Sequence, residues 1–284
     1  MIALITARAA RALDEDLPPL CAELRRRAIP HEIVDWDDPE ADWSRFRCAL
    51  LRSPWDYVDR FEEFCAWLAR VETHTDVLNP PSVLRWNLHK GYLLELVGRG
   101  VPVVPTTLLR PGATVALPAL PELVVKPAVG AGSRDARRFR NDPAGARAHA
   151  QALLGAGRDV LVQPYLARVD AVGETALMHF GGRYSHAIRK GPLLPPNAGA
   201  TEKLFAPEQI VAREPGTDEL ALARQVLAAL PFAQPPLYAR VDLLRDGDGR
   251  PVLLELELAE PSLFFDHAPG SAARFVDALV AAVG

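Results

Sequence analysis

The chain has 284 residues, with 32 lysines and arginines against 36 aspartates and glutamates and a formal charge of −4. That near-balance leaves no electrostatic footprint for a nucleic acid or an acidic membrane surface, and no apolar run approaches the eighteen residues of a membrane span. The length is enough for two or three subdomains with cores of their own. Met1 leads straight into the strand-like run Ile2–Thr6, so no signal peptide is expected and a cytoplasmic location is. Cys21, Cys48 and Cys65 are scattered, without disulfide or metal-ligand spacing, and are expected as buried reduced thiols. Arginine dominates the basic residues. The four lysines, at 90, 126, 190 and 203, therefore mark positions where a compact ammonium suits better than a planar fork.

Residues 1 to about 80 alternate strand and helix. Strands are expected at Ile2–Thr6, His31–Trp36, Cys48–Leu51 and Val77–Pro80. A helix opens near Asp14 or Asp16 with Pro18 in its first turn, and another runs from about Arg60 to Glu72 with Phe61, Phe64, Leu68 and Val71 on one face. Such alternation implies a parallel sheet, whose ligands sit beyond the carboxyl ends of the strands. Arg52-Ser-Pro-Trp-Asp-Tyr57 lies beyond one such end; Arg52, Trp55 and Asp56 could grip an amino-acid-like ligand or form a satisfied packing corner.

A helix with Lys90 at its middle is expected over about Val83 to Gly98. A strand then ends on Lys126, followed by a loop containing Gly130, Gly132 and Ser133, whose backbone N–H groups could cradle phosphate oxygens. Ala144–Leu154 reads as a helix, and Asp159–Leu166 as a buried strand. Strands over Gly173–Phe180 and Tyr184–Lys190 flank the Gly181-Gly182 turn. Adjacent strand residues face opposite ways, so only one of Arg189 and Lys190 is expected at a site, and Arg189 is assigned to it. Gly191–Gly199 is a long loop, Asp218–Leu230 a helix, and Phe275–Val283 a closing amphipathic helix. His186 is read as a core or rim histidine, not a base. Neither GxGxxG after the first strand, nor GxxxxGK[ST], HExxH or GxSxG occurs. The usual short routes to hydride transfer, P-loop hydrolysis, zinc proteolysis and serine hydrolysis are thereby weakened.

The most informative stretch is Tyr238–Glu257, two alternating segments around Asp246-Gly-Asp-Gly-Arg250, which reads as an antiparallel hairpin. A four-residue loop at Gly247–Arg250 sets Asp242 opposite Glu255 and Arg240 opposite Glu257, with Leu254, Leu256 and Leu258 on the other face. Carboxylates gathered that closely repel one another unless cations compensate. Three hard oxygen donors at an apolar sheet suit magnesium held against phosphates.

In this order, RSPWDY, NPPSVLRWNLHK, VVKPAVGAGSRD, VLVQPYL, GETAL, SHAIRKGPLL, YARVDLL and LELELAEPSLFF resemble the blocks of the ATP-grasp ligases. Within them, the chain is most similar to the O-ureido-serine cyclo-ligases that form D-cycloserine. The resemblance implies an ATP-grasp fold of mixed α/β and α+β class. A Rossmann-like N-terminal βα (pre-ATP-grasp) domain would span residues 1–80, a central lid subdomain 81–166, and a C-terminal antiparallel-sheet subdomain with the metal-binding hairpin 167–284. ATP and Mg²⁺ are the implied cofactors. Lys90 and Lys126 would contact phosphates, with Gly130, Gly132 and Ser133 closing over them. Gln163, Pro164, Tyr165 and Leu166 would form the hinge beside adenine, and Glu174 would hold the ribose. Lys203 would lie in a lid loop. Asp242, Glu255 and Glu257 would bind metal, Glu257 standing where many ATP-grasp enzymes carry Asn. Arg240 and Lys126 would be catalytic, and Arg52, Trp55, Asp56, Arg189 and Arg240 would surround the substrate.

The implied reaction activates a carboxylate as an acyl-phosphate, which a nitrogen then attacks. Three readings follow: intramolecular closure of an O-ureido-serine-like amino acid, intermolecular amide or peptide ligation, and a non-catalytic nucleotide-binding homologue. An amino-acid-like small molecule is the expected partner, with no nucleic acid or membrane, and a homodimer as the protein assembly envisaged.

Overall fold

The structure, a computed structural model, describes residues 1–199 and 209–284. Strands β1 (Ile2–Thr6), β2 (His31–Asp35), β3 (Cys48–Ser53) and β4 (Asp76–Leu78) form a wholly parallel sheet in the order β2-β1-β3-β4. Helix α1 (Leu17–Arg26) carries Pro18 in its first turn, where a missing N–H costs no intrahelical bond, and α2 (Phe61–Val71) buries Phe64, Trp67, Leu68 and Val71. Trp36, Trp43, Phe64 and Trp67 pack edge-on or stacked under one face of this sheet.

The helix expected over Val83–Gly98 is two helices, α3 (Pro81–Asn87) and α4 (Tyr92–Gly98), with Lys90 in the break. The interruption has a visible cause. The backbone N–H of Lys90 donates to the carbonyl of Ala128 at 2.8 Å, and Gly91 N–H donates to the His89 ring at 3.0 Å, bonds a continuous helix would forbid. Residues 81–105 bury Tyr92, Leu93, Leu96 and Val101 in a core shared with Leu177, Val241 and Leu256.

An antiparallel sheet follows, built from β5 (Thr107–Leu109), β6 (Glu122–Pro127), β7 (Arg137–Arg140) and β8 (Val160–Pro164) in the order β5-β8-β6-β7, backed by α5 (Pro143–Gly155). Strand β7 escaped the sequence reading because its arginines mask the alternation: Arg138 is buried, held by Glu122 at 2.7 Å. After the short helix α6 (Val169–Val172) come β9 (Glu174–Phe180), β10 (Arg183–Lys190), β11 (Ile210–Arg213), α7 (Thr217–Ala228), β12 (Tyr238–Arg245), β13 (Pro251–Glu257) and α8 (Ser271–Val283). Their strands make a second antiparallel sheet in the order β11-β10-β9-β12-β13. One face packs α8 and the parallel sheet through Leu4, Leu50, Phe180, Tyr238 and Phe275; the other packs α3, α4 and α7.

The hairpin keeps the expected pairs, Asp242 with Glu255 and Arg240 with Glu257, by an unexpected route. Pairing continues to Arg245 and Pro251, which leaves a five-residue turn, and a bulge between Asp242 and Leu243 absorbs the offset at Leu254. Leu254 is consequently not on the face opposite the acids: it lines the same cavity.

Strand β13 is an edge strand whose outward backbone groups are closed by side chains and a flanking segment. Tyr92 Oη donates to Leu256 O at 2.8 Å and accepts from Leu256 N–H at 2.9 Å. Asn87 donates to Leu256 O and accepts from Leu258 N–H, both at 2.7 Å, and Leu253 exchanges bonds with Pro102 and Val104. Buried Asn79 ties the parallel sheet to the same region by donating to Tyr238 O and Leu258 O and accepting from Leu237 N–H. Asn79→Ala leaves three buried backbone groups without partners. It is expected to lower unfolding free energy by about 2–4 kcal/mol, read as a shifted midpoint in urea denaturation; a loss under about 0.5 kcal/mol would contradict this bonding role.

Candidate active site

A cavity of about 630 Å³ lies between the two antiparallel sheets and the loops above the parallel sheet, a volume suited to a small-molecule ligand. One wall is the hairpin. Arg240 and Asp242 sit two apart on β12 and so share a face, and the guanidinium grips the carboxylate through Nε at 2.9 Å and Nη2 at 2.8 Å. Arg240 Nη2 also donates to Glu257 across the pair, and Nη1 to Ser262 O at 3.2 Å. Lys190 ends β10 opposite Glu174, the first residue of β9, and its ammonium lies 2.9 Å from Glu174 and 3.0 Å from Asp242. Lys90, in the break between α3 and α4, reaches Glu255 at 3.1 Å and Gly130 O at 2.6 Å.

These charges are desolvated, and their affinities for protons show it. Burial pushes Glu174 up to about 7 and Glu257 up to about 8, against the pull of Lys190 and Arg240 respectively. Asp242 is held down to about 2 because Arg240 and Lys190 overcome the same burial. Burial pulls Lys126 down, with Glu255 opposing. Among the described residues, Lys126 makes no ion pair within 4 Å, and its ammonium lines the cavity with only the longer-range pull of Glu255 and its neighbours.

Gly130, Gly132 and Ser133 line the cavity beside Lys126, and Gly132 and Ser133 both adopt positive φ, at 61° and 59°. Gln163, Pro164, Tyr165 and Leu166 line it at the end of β8. Gln163 is buried and its amide donates to Thr106 Oγ1 at 2.8 Å. The Tyr165 ring lies under the Arg138 guanidinium, 3.3 Å from the ring centroid. With Val124, Val169, Leu244 and Leu254, Tyr165 and Leu166 form an apolar slot.

The structure thus brings Lys90, Lys126, Gly130, Gly132, Ser133, Gln163, Pro164, Tyr165, Leu166, Glu174, Arg240, Asp242, Glu255, Glu257 and Trp55 to one cavity. Arg52, Asp56 and Arg189 are not among its lining residues. Arg52 is fully buried, donating to Pro261 O at 3.2 Å beside Asp16. Asp56 accepts from Trp36 Nε1 at 2.8 Å, and Arg189 donates to Val172 O at 2.7 Å on the other side of the sheet from Lys190. Of Arg189 and Lys190, the site therefore takes the lysine. The scarcity of lysine was the signal available for it. Lys203 falls outside the described residues. Tyr57, Glu260 and Ser262 also line the cavity and were not singled out from the sequence.

The first 79 residues bear a further mark: residues 2–79 match the family described as D-cycloserine synthetase DcsG, N-terminal domain. Across nearly the whole chain, the cycloserine biosynthesis protein DcsG of Streptomyces lavendulae is 40% identical, over 98% of this chain and 97% of the relative. The chain belongs to the D-cycloserine synthetase family of ATP-grasp ligases. A crystal structure of D-cycloserine synthetase DcsG superposes with a TM-score of 0.94 at 39% identity, covering 100% of this chain and 99% of the other. D-alanine–D-alanine ligase from Bacillus anthracis shares the fold, with a TM-score of 0.68 at 16% identity over 99% of this chain and 96% of that one. The chain is accordingly a ligase with an ATP-grasp fold, as the ordered motifs implied.

The family uses ATP with a divalent metal, and the donor chemistry here fits one. Among the described residues, no three acidic, His or Cys side chains are drawn into a ready metal cage. Instead Asp242, Glu255 and Glu257 are held by Arg240, Lys190 and Lys90. Counting Glu174 and Glu260 with the other described residues that line it, eight carboxylates face five lysines and arginines in this cavity, a surplus that a hard cation with oxygen preference would offset.

That surplus has a pH signature. Glu174 and Glu257 are raised above their ordinary value of 4.5, so between about 4.5 and about 8 the folded chain binds protons that the unfolded chain has lost. Their contribution to stability is full at low pH and disappears as pH rises through that window. The ligand-free protein is expected to lose denaturation free energy between about pH 4.5 and about 8, with a visibly shallower loss in Glu257→Gln; parallel pH profiles for the two proteins would refute the assignment.

Proposed function

We propose that this ligase uses ATP to activate the carboxylate of a small amino acid, then closes the same molecule on itself through one of its own nitrogens, converting an O-ureido-serine-like compound into a cycloserine-type ring. The observation that carries this reading is the convergence, on one wall, of the paired acids of the hairpin with Lys90, an unmatched Lys126 and a glycine loop. The 40% identity to a cycloserine biosynthesis protein over 98% of the chain directs the choice of substrate.

In this reading the apolar slot of Val124, Tyr165, Leu166, Leu244 and Leu254 takes the adenine, whose edge meets backbone groups of Pro164 and Leu166. Glu174 accepts the ribose hydroxyls, exchanging Lys190 for them. Lys90 and Lys126 bind the phosphates, and the Gly130–Ser133 segment covers them, excluding the water that would hydrolyse an acyl-phosphate. Asp242, Glu255 and Glu257 would hold magnesium, which when bound neutralises charge on the phosphates. The substrate carboxylate forms a bond to the γ-phosphorus as the bond to ADP breaks, and Lys126 and Arg240 offset the charge that develops. The substrate nitrogen then bonds to the acyl carbon and gives up its proton, Arg240 stabilises the tetrahedral oxyanion, and the bond to phosphate breaks; the carbamoyl group of a ureido nitrogen stays on the ring until water removes it. No protein nucleophile is required; positioning supplies the rate.

ADP release measured with O-ureido-D-serine as sole acceptor is expected to be robust. A strict requirement for a second amine would instead favour intermolecular ligation. Asp242→Asn and Glu255→Gln are each expected to reduce turnover by at least about a hundredfold, the scale of losing one transition-state charge contact. Near-normal turnover in both would end the metal assignment.

A further inference from the structure

The acids that face the cavity without being exposed to bulk solvent fall into distinct sets. Glu174, Asp242, Glu255 and Glu257 each have a lysine or arginine nitrogen at 3.1 Å or less, and Asp16 has Arg52 at 3.5 Å. Glu260 has none among the described residues. Its one side-chain partner is Tyr57, a buried phenol whose hydroxyl donates to Oε1 at 2.7 Å.

The segment around Glu260 is firmly built. Trp55 Nε1 donates to Glu260 O at 3.0 Å, Arg52 Nη2 to Pro261 O at 3.2 Å, and Arg240 Nη1 to Ser262 O at 3.2 Å. Asp16 accepts the N–H groups of Leu263 and Phe265 at 2.5 and 2.9 Å. The Arg52–Tyr57 loop therefore serves the site indirectly, by fixing this turn and the carboxylate it carries.

Position along the hairpin says what that carboxylate meets. From the turn outward, the cavity wall presents Leu244 and Leu254, then Asp242 and Glu255, then Arg240 and Glu257, and then Glu260. At about 3.3 Å per residue, Leu244 and Arg240 are roughly 13 Å apart along β12, so Glu260 lies beyond Arg240, well away from the apolar slot. A carboxylate activated beside Arg240 has its α-ammonium two bonds away, on the side where an acid lacks a cation.

We propose that Glu260 binds the α-ammonium of the amino-acid substrate and that Tyr57 is the positioning residue that aims it. The inference rests on the ligase reading above and adds the group that selects amino acids over other carboxylates. A charge-assisted hydrogen bond formed in a partly desolvated pocket is the strong kind, and an amine-free acid would leave Glu260 in the closed cavity without that bond.

The test is steady-state ADP release by the full chain with O-ureido-D-serine and with the same compound carrying hydrogen in place of the α-amino group. The wild-type chain is expected to prefer the amino compound by about a hundredfold in kcat/KM. Glu260→Gln should raise KM for it by about tenfold to a hundredfold, leave KM for ATP within about twofold, and shrink the preference to under about fivefold. Glu260→Asp should restore part of the preference, and Tyr57→Phe should raise KM several-fold at nearly constant kcat. Wild-type KM and preference in Glu260→Gln would overturn the assignment, as would a loss confined to kcat with a raised KM for ATP. A wild-type chain that releases no ADP with this substrate would instead overturn the ligase reading, and the inference with it.

Discussion

A cluster of carboxylates and cations, centred on Glu174, Asp242, Glu255, Glu257, Lys90, Lys190 and Arg240, shares one cavity, and keeping it there sets the terms for the rest of the molecule. Each buried ion forfeits several kcal/mol of hydration, which only close pairing and further hydrogen bonds return. The pairing is built from register. Arg240 and Asp242 are two apart on β12, Glu255 and Glu257 two apart on β13, and Lys190 closes β10 opposite Glu174. A one-residue slip in the hairpin would turn these groups into the apolar core. The outer edge of β13 is accordingly bonded by Asn87, Tyr92 and the Pro102–Val104 segment, which hold the register from a side that has no neighbouring strand.

The pairing is incomplete in an instructive way. Among the described residues neither Lys126 nor Glu260 makes an ion pair within 4 Å, and both line the same cavity. An unmatched ammonium beside a glycine loop suits phosphate, while an unmatched carboxylate beyond Arg240 suits an amine. In the proposed function these two positions would take anionic phosphates at one end and an amino acid at the other. Between them Asp242, Glu255 and Glu257, proposed as the metal donors, are held by Arg240, Lys190 and Lys90.

Much of this was legible in the sequence. Alternation and turn chemistry delivered the hairpin and its cross-strand pairs, and strand-helix alternation delivered the parallel sheet. The ordered motifs delivered the family. What was missed depends on contacts between distant segments. The break at Lys90 exists because Ala128 offers a carbonyl there, and nothing in the local pattern of Val83–Gly98 announces it. The bulge at Leu254 is compensated by the longer turn, so the acids pair as expected while Leu254 changes face. Parity correctly allowed only one of Arg189 and Lys190 at the site, but parity alone does not say which. Arg52 and Asp56 are the packing corner that the same residues equally permitted: Arg52 bonds the turn that carries Glu260, and Asp56 bonds Trp36 and Arg60.

The most direct test of the central claim is a crystal structure with magnesium and a non-hydrolysable ATP analogue. The account predicts carboxylate oxygens of Asp242 and Glu255 at about 2.1 Å from the metal, with Lys90 and Lys126 turned onto the phosphates. A nucleotide bound with its phosphates elsewhere, and those acids still held only by Lys90, Lys190 and Arg240, would contradict it.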